Sequence, residues 1–247
     1  MLTFKELGRY GRLGNQMFQI ASTIGLATRH GYKYGFPYWM NYDHAERFGS
    51  QEDCDIQNYF VNPLPLVEDK AYTDYFIHWG YHNYHGLQDN LNFTGHMQSE
   101  KYFEHCKNLI KHYFEMKPLT DIEIPAGAIA IHVRRGDYDD NYHPTQKLDY
   151  YNKALSLLPA APVYVFSDDP KEAEQMFPNA TVFKGNHYML DFQLMTKCTH
   201  FILSNSTYCW WAWWLADHGQ CIAPRKWFGD HVGLETRDIY TSEMIVI

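Results

Sequence analysis

The second half of the chain alternates short apolar runs with helical segments, and few architectures accept that pattern. A strand at 128–133 precedes a loop and a helix near 145–158. "VYVFS" (163–167) reads as a strand, "PKEAEQMF" as a helix and "ATVFK" as a short strand. "YMLDFQLMTKC" is a helix leading into strand "HFILS" (200–204). "STYCWWAWWLADH" is then a helix closed by Gly219, and "QCIAP" a further strand. Strands separated by helices predict a parallel sheet, because each helix carries the chain back to the same end of the sheet. Such sheets bind ligands at the carboxyl ends of their strands.

The first half opens with a short strand around Thr3 to Leu7 and a glycine-rich turn. A helix follows in which Leu13, Met17, Ile20, Ile24 and Ala27 share a face at helical spacing. Gly31 closes it, and "YKYGFP" returns as a strand. "SEKYFEHCKNLIKHYFEM" reads as one helix with Ser99 as its N-cap, and "KPLTDIEIPAG" as a linker. The expectation is an α/β chain of two Rossmann-like domains, 1–125 and 126–247, facing each other across a cleft. The C-terminal segment is expected to pack back on the first domain.

A net charge of -8 over 247 residues argues against nucleic acid and anionic membranes as partners, so any anion site must be local. Cys54, Cys106, Cys198, Cys209 and Cys221 show no CxxC spacing and read as reduced thiols, neither a disulfide framework nor a zinc site. No apolar stretch is long enough for a signal peptide or anchor, which points to a cytoplasmic protein. The sequence sets no oligomeric state.

Three strand ends carry polar groups toward one rim. The first is "HVRRGDY", with His132, Arg134, Arg135 and Asp137. Arginine presents a fixed fork of donors that matches phosphate oxygens, while a local Arg–Asp ion pair in a surface turn is the plainer reading. The second is Asp168 and Asp169 in "FSDDP", suited to hydroxyls, a metal or a base, or to capping the next helix. The third is Ser204, Asn205, Ser206 and Thr207, placed just before a helix whose free N–H groups suit a phosphate. Together they indicate a nucleoside diphosphate. The tryptophan run behind them reads as helix core. In the first half, "GRYGRLGNQ" sets Arg12, Gly14, Asn15 and Gln16 at a turn that either faces the cleft or is purely structural.

"GRLGNQMFQ", "HVRRGDY" at 132–138, "FSDD" at 166–169 and "DFQLMTKCTHFILSNSTYCWWAWWL" at 191–215 together resemble the α-1,2-fucosyltransferases of glycosyltransferase family 11. The resemblance implies a GT-B fold, GDP-L-fucose as donor, no metal or other cofactor, and inverting transfer to the 2-hydroxyl of a galactose in an oligosaccharide acceptor. It implies that Arg134 grips the diphosphate, with His132 beside the nucleotide and Arg135 and Asp137 shaping the loop. It further implies that Asp191 reads guanine, that Ser206 and Thr207 contact phosphate, and that Asp168 and Asp169 are the family's acidic pair. Asn15 and Arg12 are placed to orient the acceptor or the phosphates. The lack of an anchor resembles the soluble bacterial members.

The general base is left unassigned among Asp43, His44, Glu46, Asp53, Asp55, His78 and His85. Tyr75, Trp79, Tyr81 and Tyr84 either stack on an acceptor sugar or pack in the core. Two other readings stay open: another GDP-sugar as donor, or a non-catalytic binding module. "DCD" at 53–55 fits a metal-binding DxD but falls in an irregular loop of the wrong half.

Overall fold

A computed structural model describes residues 1–42, 54–139 and 141–247. The chain forms two compact units, Met1–Lys117 with Arg237–Ile239, and Pro118–Thr236 with Tyr240–Ile247.

In the first unit, α1 (Leu13–His30) ends on Gly31 in the left-handed region, with Arg29 and His30 in the last turn against the negative helix end. The sequence shows one apolar face, but the helix is buried on every side from Gln16 to Ala27. Four polar side chains, Gln16, Gln19, Ser22 and Thr23, lie fully inside. Three of them bind neighbouring loops: Gln19 Nε2 donates to the Tyr10 carbonyl (2.7 Å), Ser22 Oγ to the Met97 carbonyl (2.9 Å) and Gln16 Nε2 to the Gly11 carbonyl (2.8 Å).

A parallel ladder lies beside α1. β1 (Thr73–Phe76) pairs with β2 (Leu91–Thr94), and single parallel bridges extend it through Thr3↔Asn92, Leu2↔Tyr34 and Phe36↔Leu66. The segments therefore run in the order 73–76, 91–94, 2–3, 34–36, 66. The strand expected at Thr3 to Leu7 is shorter and earlier, since the chain turns from Lys5.

The helix expected over 99–116 is broken. Two 3-10 turns, Glu100–Tyr102 and Glu104–Cys106, precede α2 (Lys107–Tyr113), although Ser99 caps the first turn as expected. The break falls where the Tyr102–Phe103 backbone runs against α1. A Cβ at Gly25 would sit 2.1 Å from the Tyr102 carbonyl oxygen, so this helix position must be glycine despite its propensity cost. Asp238 belongs to this unit, pairing with Lys101 Nζ (2.6 Å) and accepting from the Tyr81 N–H (3.0 Å).

The second unit is one six-stranded parallel sheet in the order β5-β4-β3-β6-β7-β8. Its elements are β3 (Ile129–Val133), α3 (Leu148–Leu155), β4 (Val163–Ser167), α4 (Pro170–Met176), β5 (Thr181–Val182), α5 (Tyr188–Thr196), β6 (His200–Ile202), α6 (Thr207–Ala216), β7 (Cys221–Ala223) and β8 (Met244–Val246). From β3 the chain builds outward through β4 to β5, then crosses back to β6 and builds the other way. The strand order reverses between β3 and β6, the topological switch point of a doubly wound sheet.

The core joins Ile129, Ile131 and Val133 of β3 to Tyr151, Ala154, Val165, Ala173, Phe177, Ile202 and Ile222. α6 buries Trp210, Trp211, Trp213 and Trp214, so the tryptophan run is core. It ends on Asp217 in the left-handed region and not on Gly219, because an aspartate tolerates that conformation. β8 lies beyond the strands that the sequence predicts and is set by its pairing with β7. Among the described residues no helix is long and apolar enough to cross a membrane.

Replacing Gly25 with alanine should destabilise the protein by about 1–3 kcal/mol, the usual range for overpacking. Urea unfolding of G25A beside wild type measures it, and an unchanged midpoint would mean that the two backbones are not locked together.

Candidate functional site

The switch point is built from the ends of β3 and β6. His132, buried near the end of β3, has Nδ1 2.7 Å from the Ser204 hydroxyl just beyond β6. Its carbonyl accepts from the Tyr151 hydroxyl (3.1 Å), and the Tyr208 ring lies 5.5 Å away. Burial, with the Arg134 charge adding to it, pushes the imidazole down to about 3. His132 is therefore neutral at ordinary pH and fixes geometry instead of exchanging protons.

Beyond β3, Arg134 leaves the sheet with its guanidinium held on two sides. Nη1 meets Asp168 Oδ2 at 2.8 Å, Nη2 pairs with Asp137, and the Tyr138 ring lies beneath at 5.3 Å. Asp168, just past β4, has both oxygens engaged, because Oδ1 accepts the Arg135 N–H (2.8 Å). Gly136 lets the loop pass over this carboxylate, since a Cβ there would lie 2.4 Å from Asp168 Oδ2.

Arg135 turns the other way. Its Nε pairs with Glu172 of α4 (2.6 Å) and Nη2 reaches Met176 Sδ (3.1 Å), so it is an anchor for the loop. Asp169 caps α4 through the Glu172 N–H (3.0 Å). The acidic pair thus divides into a bracket for Arg134 and a helix cap.

The stretch 204–207 also divides. Ser204 is buried against His132. The Asn205 amide is directed inward, donating to the Trp227 carbonyl (2.9 Å) and accepting from Gln146 (3.2 Å), which leaves it structural. Ser206 is the N-cap of α6 and Thr207 its first residue, both half-buried, so this helix start is the part of the stretch open at the surface. Asp191 in α5 is half-buried, accepts from Asn186 Nδ2 (2.8 Å), and is pushed up by burial.

Tyr138 was not singled out in the sequence. Its ring supports Arg134 and its hydroxyl donates to the Asn205 carbonyl (2.8 Å), linking the two strand-end loops. The signal available was an aromatic ring four residues after an exposed-end arginine. His143 stacks on the same ring at 4.8 Å, also unforeseen.

In the first unit, the four turn residues separate. Arg12 is exposed at the N-cap of α1, and Asn15 Oδ1 accepts from Gln98 Nε2 (2.9 Å). Gly14 is buried within the helix. Gln16, expected at a cleft-facing turn, is wholly buried, its Oε1 accepting from Trp39 Nε1 (2.8 Å), because its amide closes the turn on itself. Of the base candidates, Asp43, His44, Glu46 and Asp53 lie outside the described residues. Asp55 caps the 3-10 turn Ile56–Tyr59 and accepts from the Tyr38 hydroxyl (2.9 Å), while His78 and His85 are exposed. All five cysteines are free thiols.

The family model described as glycosyl transferase family 11 matches residues 5–247. The chain is 28% identical to an alpha-1,2-colitosyltransferase of Escherichia coli over 88% of this chain and 90% of that protein. It is 26% identical to galactoside alpha-(1,2)-fucosyltransferase 2 of Bos taurus over 83% of this chain and 67% of that one. A stretch covering 42% of the chain is 36% identical to the O-antigen biosynthesis glycosyltransferase WbnK of Escherichia coli, spanning 40% of its length. Among solved structures, fucosyltransferase NodZ from Bradyrhizobium superposes with a TM-score of 0.55 at 14% identity, covering 85% of this chain and 91% of that one. The fold is GT-B.

His132 gives a pH signature with a definite sign. An unfolded histidine titrates near 6.5 but the native one only near 3, so its stabilisation is complete above pH 6.5 and is lost as pH falls toward 3. From pH 7 to pH 4 the loss should reach about 3 kcal/mol, at 1.36 kcal/mol per pH unit. Urea unfolding of wild type and His132→Gln at several pH values should show a shallower acid slope in the variant, and parallel slopes would refute the assignment.

Proposed function

The chain belongs to glycosyl transferase family 11, and from that premise we propose that it moves L-fucose from GDP-L-fucose to the 2-hydroxyl of a galactoside, with inversion, in the cytoplasm. One observation carries the reading. At the switch point of a doubly wound sheet, Arg134 and the start of α6 flank the place where such folds bind a nucleotide.

The reaction breaks the bond between the fucose anomeric carbon and the diphosphate oxygen, and forms one from that carbon to the acceptor oxygen. The departing GDP carries away the bonding pair, and the acceptor hydroxyl loses its proton. Charge grows on the diphosphate, and a preorganised guanidinium and helix-start amides stabilise charge most where they need not reorganise. Asp168 supplies that preorganisation by holding Nη1 of Arg134. Asp191, half-buried and pushed up by that burial, suits the N–H edge of guanine as an acceptor. With the Arg134 guanidinium and the helix-start amides meeting the diphosphate, the reaction needs no metal. The proton passes to a carboxylate or imidazole of the first half of the chain, the class to which Asp55, His78 and His85 belong.

A second reading is favoured by the match to a colitosyltransferase over 88% of the chain. The same site would then take the GDP-activated colitose in place of fucose.

Transfer from GDP-fucose to lactose in the presence of EDTA should proceed for wild type. Arg134→Ala should lower kcat by ~100-fold or more, about 3 kcal/mol of lost charge stabilisation. GDP binding without fucose transfer, together with transfer from GDP-colitose, would move the assignment to the second reading. Dependence on added metal would overturn the metal-free mechanism.

A further inference from the structure

Three rings meet at the carboxyl ends of adjacent parallel segments in the first unit. Tyr10 lies in the turn after the 2–3 segment, Trp79 three residues after β1, and His96 two residues after β2. The His96 ring lies 4.9 Å from Tyr10, tilted by 33°, and 5.7 Å from Trp79, edge to face. Tyr10 is 41% exposed, and Trp79 and His96 are half-buried, so the cluster presents apolar surface to water at the edge where a parallel sheet binds ligands.

The rings are held from behind. α1 binds the Tyr10 carbonyl through Gln19 and the Met97 carbonyl, next to His96, through Ser22. Bordering them is the Asn15–Gln98 amide pair, with Asn15 Nδ2 packed against Gly11 in the same turn as Tyr10. The other tyrosines of the segment are used elsewhere. Tyr75 packs edge-on against Phe93 and Tyr84, and Tyr84 stacks on the buried Tyr102, which also contacts Tyr81.

We propose that Tyr10, Trp79 and His96, with the Asn15–Gln98 amides, form a pyranoside subsite that receives the galactose ring of the acceptor. A galactopyranoside has one C–H face and a rim of hydroxyls. It therefore needs an aromatic surface with neutral amide donors and acceptors beside it, where a phosphate would need cations. The subsite rests on the transferase reading for its ligand, while its residues belong to the first unit and those assigned to the nucleotide belong to the second. Trp79 supplies the stacking face, Tyr10 the exposed side of the platform, and His96 sets the angle between them.

The test is the binding of lactose and of GDP, each alone, to wild type, Trp79→Ala, Trp79→Phe and Tyr10→Ala. Loss of one stacking ring should weaken lactose about tenfold in W79A and several-fold in Y10A, with W79F within about threefold of wild type. GDP affinity should stay unchanged in all of them. Tyr10 is exposed enough that its variant tests the subsite without disturbing the core. Lactose binding equal to wild type in both alanine variants would overturn the subsite, as would a wild type that does not bind lactose at all. A wild type that binds lactose through these rings but not GDP would keep the subsite and overturn the nucleotide-sugar reading instead.

Discussion

A guanidinium at the end of a buried strand is tolerable only if its charge is met, and the contact between Arg134 and Asp168 meets it. The two residues follow neighbouring strands, β3 and β4, paired in register from Ile129↔Val163 to Val133↔Ser167. Sheet pairing thus delivers carboxylate and guanidinium to the same edge before any side chain chooses a rotamer. Much of the loop depends on this contact. The other Asp168 oxygen fixes the Arg135 N–H, Gly136 has no side chain because Asp168 fills that space, and Arg135 is thereby aimed at Glu172.

The first unit solves a related problem with neutral groups. A helix buried on all sides and carrying two glutamines and a serine would be costly if their donors were unpaired. Gln16, Gln19 and Ser22 bind the carbonyls of Gly11, Tyr10 and Met97, all in loops at strand ends. Loop carbonyls that the ladder cannot satisfy are satisfied by the helix, and the loops are held still as a consequence. The polar residues inside α1 are therefore the reason its strand-end loops have a defined shape.

This explains which features could be read from the sequence. The α/β alternation, β3, β4, α4 and the Gly31 terminus were legible because period and capping are local properties. The all-round burial of α1 was not, because its polar positions look like a solvent face until the loops they bind are in place. The break at Phe103 depends on Gly25, 78 residues earlier, and β8 on pairing with β7. At the candidate site, residue types were legible and their division of labour was not. Asp168 and Asp169 are adjacent in sequence, yet one brackets Arg134 and the other caps a helix. Asn205 sits among hydroxyls suited to phosphate, yet its amide is fixed by Trp227, 22 residues later.

The acidic chain and the proposed anion site are reconciled at the same contact. With Asp137 and Asp168 both on Arg134, the strand end carries no excess positive charge to attract anions indiscriminately. The two carboxylates are not equivalent. Asp168 is 23% exposed and tied by a backbone N–H as well, whereas Asp137 is 56% exposed and shares Arg134 in a geometry that water screens. On the proposed reading, an arriving diphosphate has to outcompete the weaker partner only, and a second negative charge on the ligand is what a single exposed carboxylate cannot match. If Arg134 receives the diphosphate as proposed, the pairing that lets it sit at the end of a buried strand also sets a threshold of charge, favouring a diphosphate over a lone carboxylate ligand at this edge.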